Sequence, residues 1–465
     1  MPGVRSPGIC AAIPQATVAA PFVTVPGGSC RHFGFCATVA DGVSRQSAFS
    51  RALDLLPPHL AAAKASIRAA PATTRGTTRG TTRGRPGRAR QRRRIFRDGP
   101  DVHLRTIFIA ILALLTAACA GRKPEELLGS VVVTASINQI AGNHAIFIAS
   151  TRKRSQDPGK VFEGERSATL NFARVNVTVP ASHKTGEIER RSRGKSDDPA
   201  RYFMASEAVG YDTAPKFQAA LDADIAARGG RVMVFVHGYN TSFDSAVYRL
   251  TQIVHDSGYP GTPVLFSWAS GGSTASYVYD KESASAARDQ LEVTLRMLAQ
   301  GGARRIDVVA HSMGTWVTME TLRQLALTGD RDLSGKLGDV VLASPDIDVD
   351  VFKSQMRRYG KPDKPFVLLL SDDDRALKLS GLLAGSRPRV GDYRNAADLA
   401  EYGVTVVDLT RAKGTDTFNH TKFADNPALV RQLGQRLRID DGFASDREVT
   451  DRIRLLNQEA RAGIF

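Results

Sequence analysis

The stretch Val308–Gly314, VVAHSMG, sets a serine between a small residue two places before it and a glycine two places after it. The preceding IDVVA predicts a buried strand, and the following TWVTMETLRQLAL predicts a helix. A strand, a serine turn and a helix in direct succession indicate a sharp turn that exposes the serine side chain at a helix N-terminus. Ala310 and Gly314 lie on either side of His311 and Ser312. Both positions need small residues, because such a turn brings neighbouring backbone segments close to each other. We therefore predict that Ser312 is a nucleophile.

The body of the chain alternates short apolar runs with helical patterns. The runs predicting strands are Ala145–Thr151, Phe172–Val179, Val232–His237, Pro263–Trp268, Ile306–Ala310, Val340–Ala343, Phe366–Leu370 and Val404–Leu409. The helical patterns are Pro215–Arg228, Phe243–Asp256, Glu282–Gln300, Met313–Ala326, Val349–Tyr359 and Pro427–Arg438. Continuous apolar runs such as MVFV and FVLLL are typical of strands buried on both faces of a parallel sheet.

This alternation predicts an α/β fold with a mostly parallel central sheet of about eight strands and helices on both faces. The first two strands lack a helix between them and are expected to form an antiparallel start. The segment Pro180–Tyr211 is polar and charged, so we predict a long surface connection there. The twenty or so residues between the strands ending near Ala343 and starting near Phe366 leave no room for a large cap domain.

Positive charge is concentrated at the start of the chain. The first 100 residues hold sixteen Lys and Arg and three acidic residues, so they carry thirteen of the net +16. They also contain a triple TTRG repeat at Thr73–Gly84 and many Pro and Gly, but no sustained period of a helix or a strand. Because the body is nearly neutral, we expect no nucleic-acid binding by the folded domain. Residues 1–101 are interpreted as a disordered basic extension, or as translation from a start assigned too early.

A secretory signal follows this extension. Arg105 precedes an apolar or small-residue run, Thr106–Ala118, whose thirteen residues suit a signal core better than a spanning helix. The run ends in T-A-A-C, which resembles the lipobox of bacterial lipoproteins, so Cys119 is a candidate for lipidation. Thr116 stands where that box usually has a branched aliphatic residue, and plain signal-peptidase cleavage is the alternative. We expect an exported protein, either periplasmic or anchored to the membrane through lipidated Cys119.

All four cysteines, Cys10, Cys30, Cys36 and Cys119, lie in the first 119 residues. Their absence from the body excludes a disulfide framework, a zinc site and a cysteine nucleophile there. The predicted organisation is completed by a tether at 120–143, a catalytic domain at 144–440 and a helical tail at 441–465.

A catalytic serine needs a histidine base, and the base needs an orienting acid. In α/β hydrolases the chain order is serine, acid, histidine, and His420 is the only histidine after Ser312. The acid is expected after the penultimate strand, where SDDDRAL offers three aspartates. We favour Asp374, with Asp372 as an alternative. Asp346, after the preceding strand, is a further alternative.

An oxyanion hole requires backbone N–H groups directed at the developing negative charge. The run VMVFVHGYNTSF places a strand directly before H-G-Y-N. Gly238 would let the backbone turn so that the Tyr239 N–H points inward, and the Met313 N–H would be the second donor. His237 precedes the serine, so we interpret it as an organiser of the loop rather than as a base.

Together these residues resemble a family of bacterial α/β hydrolases of unknown specificity, often labelled esterase- or lipase-like. The resemblance extends from about Ala145 to Arg438 and rests on FVHGYNTSFDSAVYR, LFSWASGG, YVYDKESA, VVAHSMG, LASPDIDVDVF, LLLSDDDRAL and the FNH segment. It implies the α/β-hydrolase fold. The family's single aspartate before a basic-Ala-Leu triplet maps onto Asp374.

The sequence predicts a serine hydrolase that cleaves small-molecule or lipid carboxylic esters through an acyl-enzyme. No cofactor or metal is implied. The glycine pairs match no phosphate-loop spacing; they are Gly229–Gly230, Gly271–Gly272 and Gly301–Gly302. We expect an open groove shaped by Trp268–Tyr279. The alternatives are an acyltransferase of the same fold, an inactive envelope binding or scaffold protein, and an anionic-polymer binder acting through residues 75–97.

Overall fold

The computed structural model describes residues 136–157, 159–191 and 195–438. The predicted basic extension 1–101, the signal with Cys119, most of the tether and the tail 441–465 lie outside these residues. Within them, no helix is both long and apolar enough to span a membrane.

Nine strands form one sheet in the described part of the chain, in the order β3-β2-β1-β5-β4-β6-β7-β8-β9. The strands are β1 (Ile140–Arg154), β2 (Phe162–Pro180), β3 (Met204–Tyr211), β4 (Arg231–Val236), β5 (Thr262–Ser267), β6 (Arg305–His311), β7 (Leu337–Ala343), β8 (Phe366–Leu370) and β9 (Val404–Asp408). β2 pairs antiparallel with β1 and β3, and all other pairs are parallel. The predicted mostly parallel sheet with an antiparallel start is confirmed.

Nine α-helices connect or flank these strands among the described residues. They are α1 (Ala214–Ala227), α2 (Phe243–Ser257), α3 (Tyr277–Gln300), α4 (Met313–Leu327), α5 (Val349–Tyr359), α6 (Arg375–Leu383), α7 (Ala396–Ala400), α8 (Lys422–Asp425) and α9 (Pro427–Arg438). The connection between β7 and β8 contains only α5.

The core lies on both faces of the sheet because the central strands are apolar on both sides. Along β4, Val232, Val234 and Val236 pack against α1, α3 and α4. The alternating Met233 and Phe235 belong to the opposite cluster with α2 and α9. Helices on both faces, as predicted, follow from this strand composition.

The segment 180–211 is not only a surface connection, because its last eight residues form β3. This strand pairs antiparallel with β2 at the edge of the sheet. Most of its residues are partly exposed, and MASEAVGY carries no run of large apolar side chains. Similarly, β1 begins at Ile140, inside the predicted tether, and β2 begins ten residues before the predicted Phe172.

Gly314 fixes how closely α4 approaches β4. A Cβ at this position would lie 2.4 Å from the carbonyl oxygens of both Val236 and His237. We expect Gly314→Ala to lower the free energy of unfolding by about 1–3 kcal/mol, because backbone must move to relieve the overlap. Chemical denaturation measures this change. In the control Gly381→Ala, on α6, the new Cβ would be 3.1 Å from its nearest neighbour. Equal stability changes in the two variants would contradict the close-approach argument.

Candidate active site

Ser312 is the single residue between β6 and α4. Its φ of 53° and ψ of −125° lie outside the usual regions for a residue with a side chain. Such a conformation costs on the order of 1–3 kcal/mol and persists only where surrounding structure enforces it. Here the Ser312 N–H donates to the carbonyl oxygen of Ala343, and the Asp346 N–H donates to that of Ser312. Neighbouring backbone therefore holds the serine in a strained turn.

The residues around the serine show why the turn needs small neighbours. Ala310 is fully buried in β6, paired with Val236 of β4. A Cβ on Gly238 would lie 2.8 Å from Ser312 Cβ and 3.1 Å from His311 Nδ1. The predicted oxyanion loop thus packs directly against the serine turn, and Gly238 is required for space.

His420 lies in a loop beside this turn. Its ring contacts that of His311, with the ring centroids 4.7 Å apart. Its carbonyl oxygen accepts a hydrogen bond from Ser344 Oγ at 3.0 Å. Its Nδ1 lies 2.6 Å from Asp374 Oδ2. The structure therefore brings His420 and Asp374 together next to Ser312.

Asp374 is completely buried and has two partners. Besides His420, it accepts the Leu377 N–H through Oδ1 at 3.0 Å, which caps the N-terminus of α6. The cap fixes the carboxylate, so its second oxygen is held towards the imidazole. Asp374 thus caps the helix and contacts His420 at the same time.

The other candidate acids have different partners. Asp372 is 40% exposed, and its Oδ2 lies 3.7 Å from Arg394. Asp346 is buried, accepts a hydrogen bond from Ser380 and pairs with Arg389 at 3.2 Å. Neither makes a hydrogen bond to the His420 ring within the described residues. The middle aspartate of the triplet, Asp373, is bound to Lys422.

The charge state of His420 follows from its surroundings. Burial lowers the pKa of the ring, but the hydrogen bond to Asp374 and the negative charges of Asp374, Asp346 and Asp416 outweigh it. The net effect raises the pKa of His420 above its ordinary value. The other two histidines nearby behave oppositely: burial lowers the pKa of His237 to about 3 and that of His311 well below its usual range. Of these three rings, only His420 is suited to exchange protons near neutral pH.

His237 is a structural residue, in agreement with its interpretation as a loop organiser. Its ring stacks on Trp268 with centroids 5.0 Å apart, and its carbonyl oxygen accepts the indole N–H at 2.8 Å. Trp268 is fully buried. The predicted groove wall is therefore wrong at Trp268, which packs beneath the loop instead of facing substrate.

The predicted oxyanion donors lie at the ends of two neighbouring elements. Met313 is the first residue of α4, where a backbone N–H has no intrahelical acceptor. Tyr239 follows Gly238 in the loop after β4, and its hydroxyl donates to the Thr274 carbonyl. Its ring meets that of Tyr277 edge-on at 5.3 Å. Thr274 and Tyr277, both in the predicted groove segment, thus contact Tyr239.

Two buried charges that the sequence did not reveal hold this loop. Asp280 accepts the Asn240 N–H at 3.1 Å and the Gly271 N–H at 2.7 Å. Arg152 is 1% exposed and donates to the carbonyl oxygens of Thr241 and Ser270 at 2.7 and 2.9 Å. Both residues join the loop after β4 to the loop after β5. No sequence spacing signals them, because their partners are mostly backbone groups of distant segments.

A third buried charge, Lys422, secures the loops that carry Asp374 and His420. Its ammonium donates to Asp373 at 2.7 Å, to Ser371 at 3.0 Å, and to the carbonyl oxygens of Leu409 and Thr410. Its position two residues after His420 is the one sequence signal that could have drawn attention to it.

Replacing Asp280 tests whether the loop must be held for turnover. We expect Asp280→Asn to reduce kcat on an activated ester by about 10- to 100-fold, because the amide nitrogen would oppose the Asn240 N–H or the Gly271 N–H, whichever way the amide is turned, and displace the predicted oxyanion donor. Steady-state kinetics measures the loss, and the pH profile should not move because His420 and Asp374 are untouched. Asp289→Asn, at a 60% exposed site on the same helix, is the control. Equal kcat in both variants would contradict the positioning role.

Comparison with known proteins agrees with this fold. Residues 214–436 match the model of a family described as an alpha/beta hydrolase of unknown function (DUF900). No curated protein has a significant sequence match to the chain. With its sheet order and the elbow-like turn at Ser312, the chain has the α/β-hydrolase fold.

Solved structures similar to the chain include two archaeal esterases. The Pyrobaculum calidifontis esterase in its monoclinic form is 12% identical over 72% of this chain and 92% of its own, with a TM-score of 0.32. An esterase from Pyrococcus furiosus is 16% identical over 45% of this chain and 82% of its own, with a TM-score of 0.29. These similarities are too low to bear on substrate or mechanism.

Proposed function

We propose that the protein is a serine hydrolase that cleaves carboxylic esters through an acyl-enzyme. The observation that carries the proposal is the buried contact of 2.6 Å between His420 Nδ1 and Asp374 Oδ2, next to a strained serine turn. A buried carboxylate on Nδ1 fixes the imidazole tautomer that leaves Nε2 free to accept a proton. The arrangement suits nucleophilic catalysis.

In the proposed reaction Ser312 Oγ attacks the ester carbonyl carbon while His420 Nε2 takes its proton. The tetrahedral oxyanion accepts hydrogen bonds from the Met313 and Tyr239 N–H groups. The C–O bond to the alcohol then breaks, and His420 returns the proton to the departing alkoxide. Water, activated by the same histidine, hydrolyses the acyl-enzyme and restores Ser312.

In this proposal the His420 ring must move closer to Ser312 when substrate binds. Ser312 Oγ and His420 Nε2 make no hydrogen bond to each other or to other groups in the part of the chain that the structure describes. Catalytic hydrogen bonds are often long before substrate binds and tighten in the Michaelis complex. A small closure of the His420 loop onto the serine completes the relay in this proposal.

The test is covalent labelling of the full-length chain with a fluorophosphonate probe, followed by peptide mass spectrometry. We expect one adduct, on Ser312, which is absent from Ser312→Ala and strongly reduced in His420→Ala. Ser285→Ala, on α3, is the serine control and should label like the original protein. A folded sample that gives no adduct on Ser312 contradicts the proposal.

The pH dependence of turnover provides a separate prediction. His420 must be neutral to act as a base, and its pKa is raised above 6.5. The acid limb of kcat/KM should therefore have its midpoint above pH 6.5, with activity lost as pH falls through it. Initial rates on a chromogenic ester across a pH series measure this midpoint. A midpoint below 6.5 would mean that another group, or a differently paired histidine, limits the reaction.

A further inference from the structure

A cluster of histidine and carboxylate side chains lies at the end of the sheet opposite Ser312. His255 and Asp256 are in the last turn of α2, and His144 is near the start of β1. His183 and Glu189 belong to the segment between β2 and β3. Since β1 runs parallel to β5, its start is remote from the strand ends that carry the serine turn. The proposed hydrolase site does not use these side chains.

Three of these residues place possible ligand atoms close to one another. One ring nitrogen of His183, one of His255 and one carboxylate oxygen of Asp256 all lie within 4.8 Å of one another. The side chains of His183 and Asp256 are 4% and 2% exposed. Imidazole nitrogen and carboxylate oxygen are the ligands that zinc takes in the absence of cysteine.

Each of the three has its other polar atom held by a neighbour. His183 Nδ1 is 2.8 Å from Glu189, while its Nε2 is 2.8 Å from Asp256 Oδ1. Asp256 Oδ2 accepts the Gly186 N–H at 2.7 Å and the Gln252 amide at 2.6 Å. His255 Nδ1 is 3.1 Å from His144 Nε2. An outer carboxylate, amide or imidazole that orients the inner ligand is the arrangement found around protein-bound metals.

Gly142 leaves room for the ring of His255, the third possible ligand. A Cβ there would lie 2.9 Å from His255 Nδ1 and 3.0 Å from His144 Nε2. The His255 Nε2 makes no hydrogen bond to any residue that the structure describes. Zinc bonds of about 2 Å require ligand atoms about 3.3 Å apart, so a pair of these atoms must approach by at most about 1.5 Å. Rotation of the half-buried His255 imidazole can supply a movement of that size.

We propose that His183, His255 and Asp256 bind one transition-metal dication, with Glu189 and His144 orienting the two imidazoles and water in the fourth position. On binding, the proton between His183 Nε2 and Asp256 Oδ1 leaves to solvent, and both atoms coordinate the cation. The two carboxylates supply the negative charge that a dication needs. The sequence argued against a zinc site because the body of the chain has no cysteine. That argument does not apply to a site made of histidine and aspartate.

The metal would tie the segment after β2 to the end of α2. That segment continues to Ile188 and Arg190, which line a cavity of about 240 Å³ beside Gly238 and His311. We therefore expect the cation to stabilise a wall next to the serine turn without taking part in ester cleavage. Fluorophosphonate labelling should persist after chelation. A failure of the metal proposal can therefore be distinguished from a failure of the proposed hydrolase function.

The test is calorimetric titration of the EDTA-treated, full-length chain with Zn²⁺. We expect His255→Ala and Asp256→Asn to bind zinc at least 10-fold more weakly, or to lose one equivalent, while circular dichroism shows that they remain folded. A variant with Cys10, Cys30, Cys36 and Cys119 all changed to serine controls for thiolate binding and should keep this equivalent. Equal zinc binding in folded His255→Ala, Asp256→Asn and the original chain overturns the proposal.

A measurement on a chain in which His183, His255 and Asp256 are unchanged covers the case in which these variants fail to fold. Zinc X-ray absorption on the four-serine control should show nitrogen and oxygen neighbours at about 2 Å with the scattering pattern of two imidazoles. A control protein that retains no zinc, or holds it without imidazole, overturns the site in the same way.

Discussion

Ser312→Ala is expected to lower kcat for ester cleavage by about 10⁶-fold. The proposed reaction has no nucleophile without Oγ, and the remaining loop and histidine cannot form an acyl-enzyme. The measurement is kcat on an activated ester, with Ser285→Ala as the control. Purified Ser312→Ala that cleaves the ester as fast as the original protein would contradict the proposed mechanism.

The same variant should leave the fold intact. Ser312 Oγ makes no hydrogen bond to any residue that the structure describes, so its removal breaks no hydrogen bond. The backbone hydrogen bonds through Ala343 and Asp346 do not depend on the side chain. We therefore expect the free energy of unfolding to change by less than about 1 kcal/mol. A loss of activity accompanied by unfolding would not count as support for the nucleophile.

The central sheet could be predicted because its strands leave a strong sequence pattern. Strands β4 to β8 are buried on both faces, so they read as continuous apolar runs between helical patterns. The edge strand β3 could not be found in this way, since it has no run of large apolar side chains and most of its residues are partly exposed. Its position is set by pairing with β2.

Part of the candidate site could be predicted from the order in which its residues occur along the chain. The order of serine, acid and histidine pointed to Ser312 and His420, whose catalytic roles stay predictions. The choice among the aspartates is set by tertiary contacts: α6 begins at Arg375, so Asp374 is the residue whose side chain both caps the helix and contacts His420. The burial of Arg152, Asp280 and Lys422 could not be predicted from the sequence. The groups that bind these charges lie elsewhere along the chain and are brought together only by folding.

Asp374→Asn is expected to reduce kcat by about 10⁴-fold while the protein stays folded. Asparagine is as good an N-cap as aspartate, so its carbonyl oxygen can keep the hydrogen bond from the Leu377 N–H. The amide nitrogen then faces His420 Nδ1 and donates to it. The imidazole proton is forced onto Nε2, where it blocks acceptance of the Ser312 proton.

Asp372→Asn is the matched control, because the same change is made two residues away at a half-exposed carboxylate beside Arg394. It should keep kcat within about twofold, as surface substitutions away from special contacts usually do. The pH profile gives a second readout: loss of the Asp374 charge removes the main influence that raises the His420 pKa, so the acid limb of the residual activity should move to lower pH. A large loss in Asp372→Asn, or in Asp346→Asn with Asp374→Asn active, would assign the acid elsewhere. A loss in Asp374→Asn without a shift of the limb would mean that Asp374 acts through the α6 cap and not through His420.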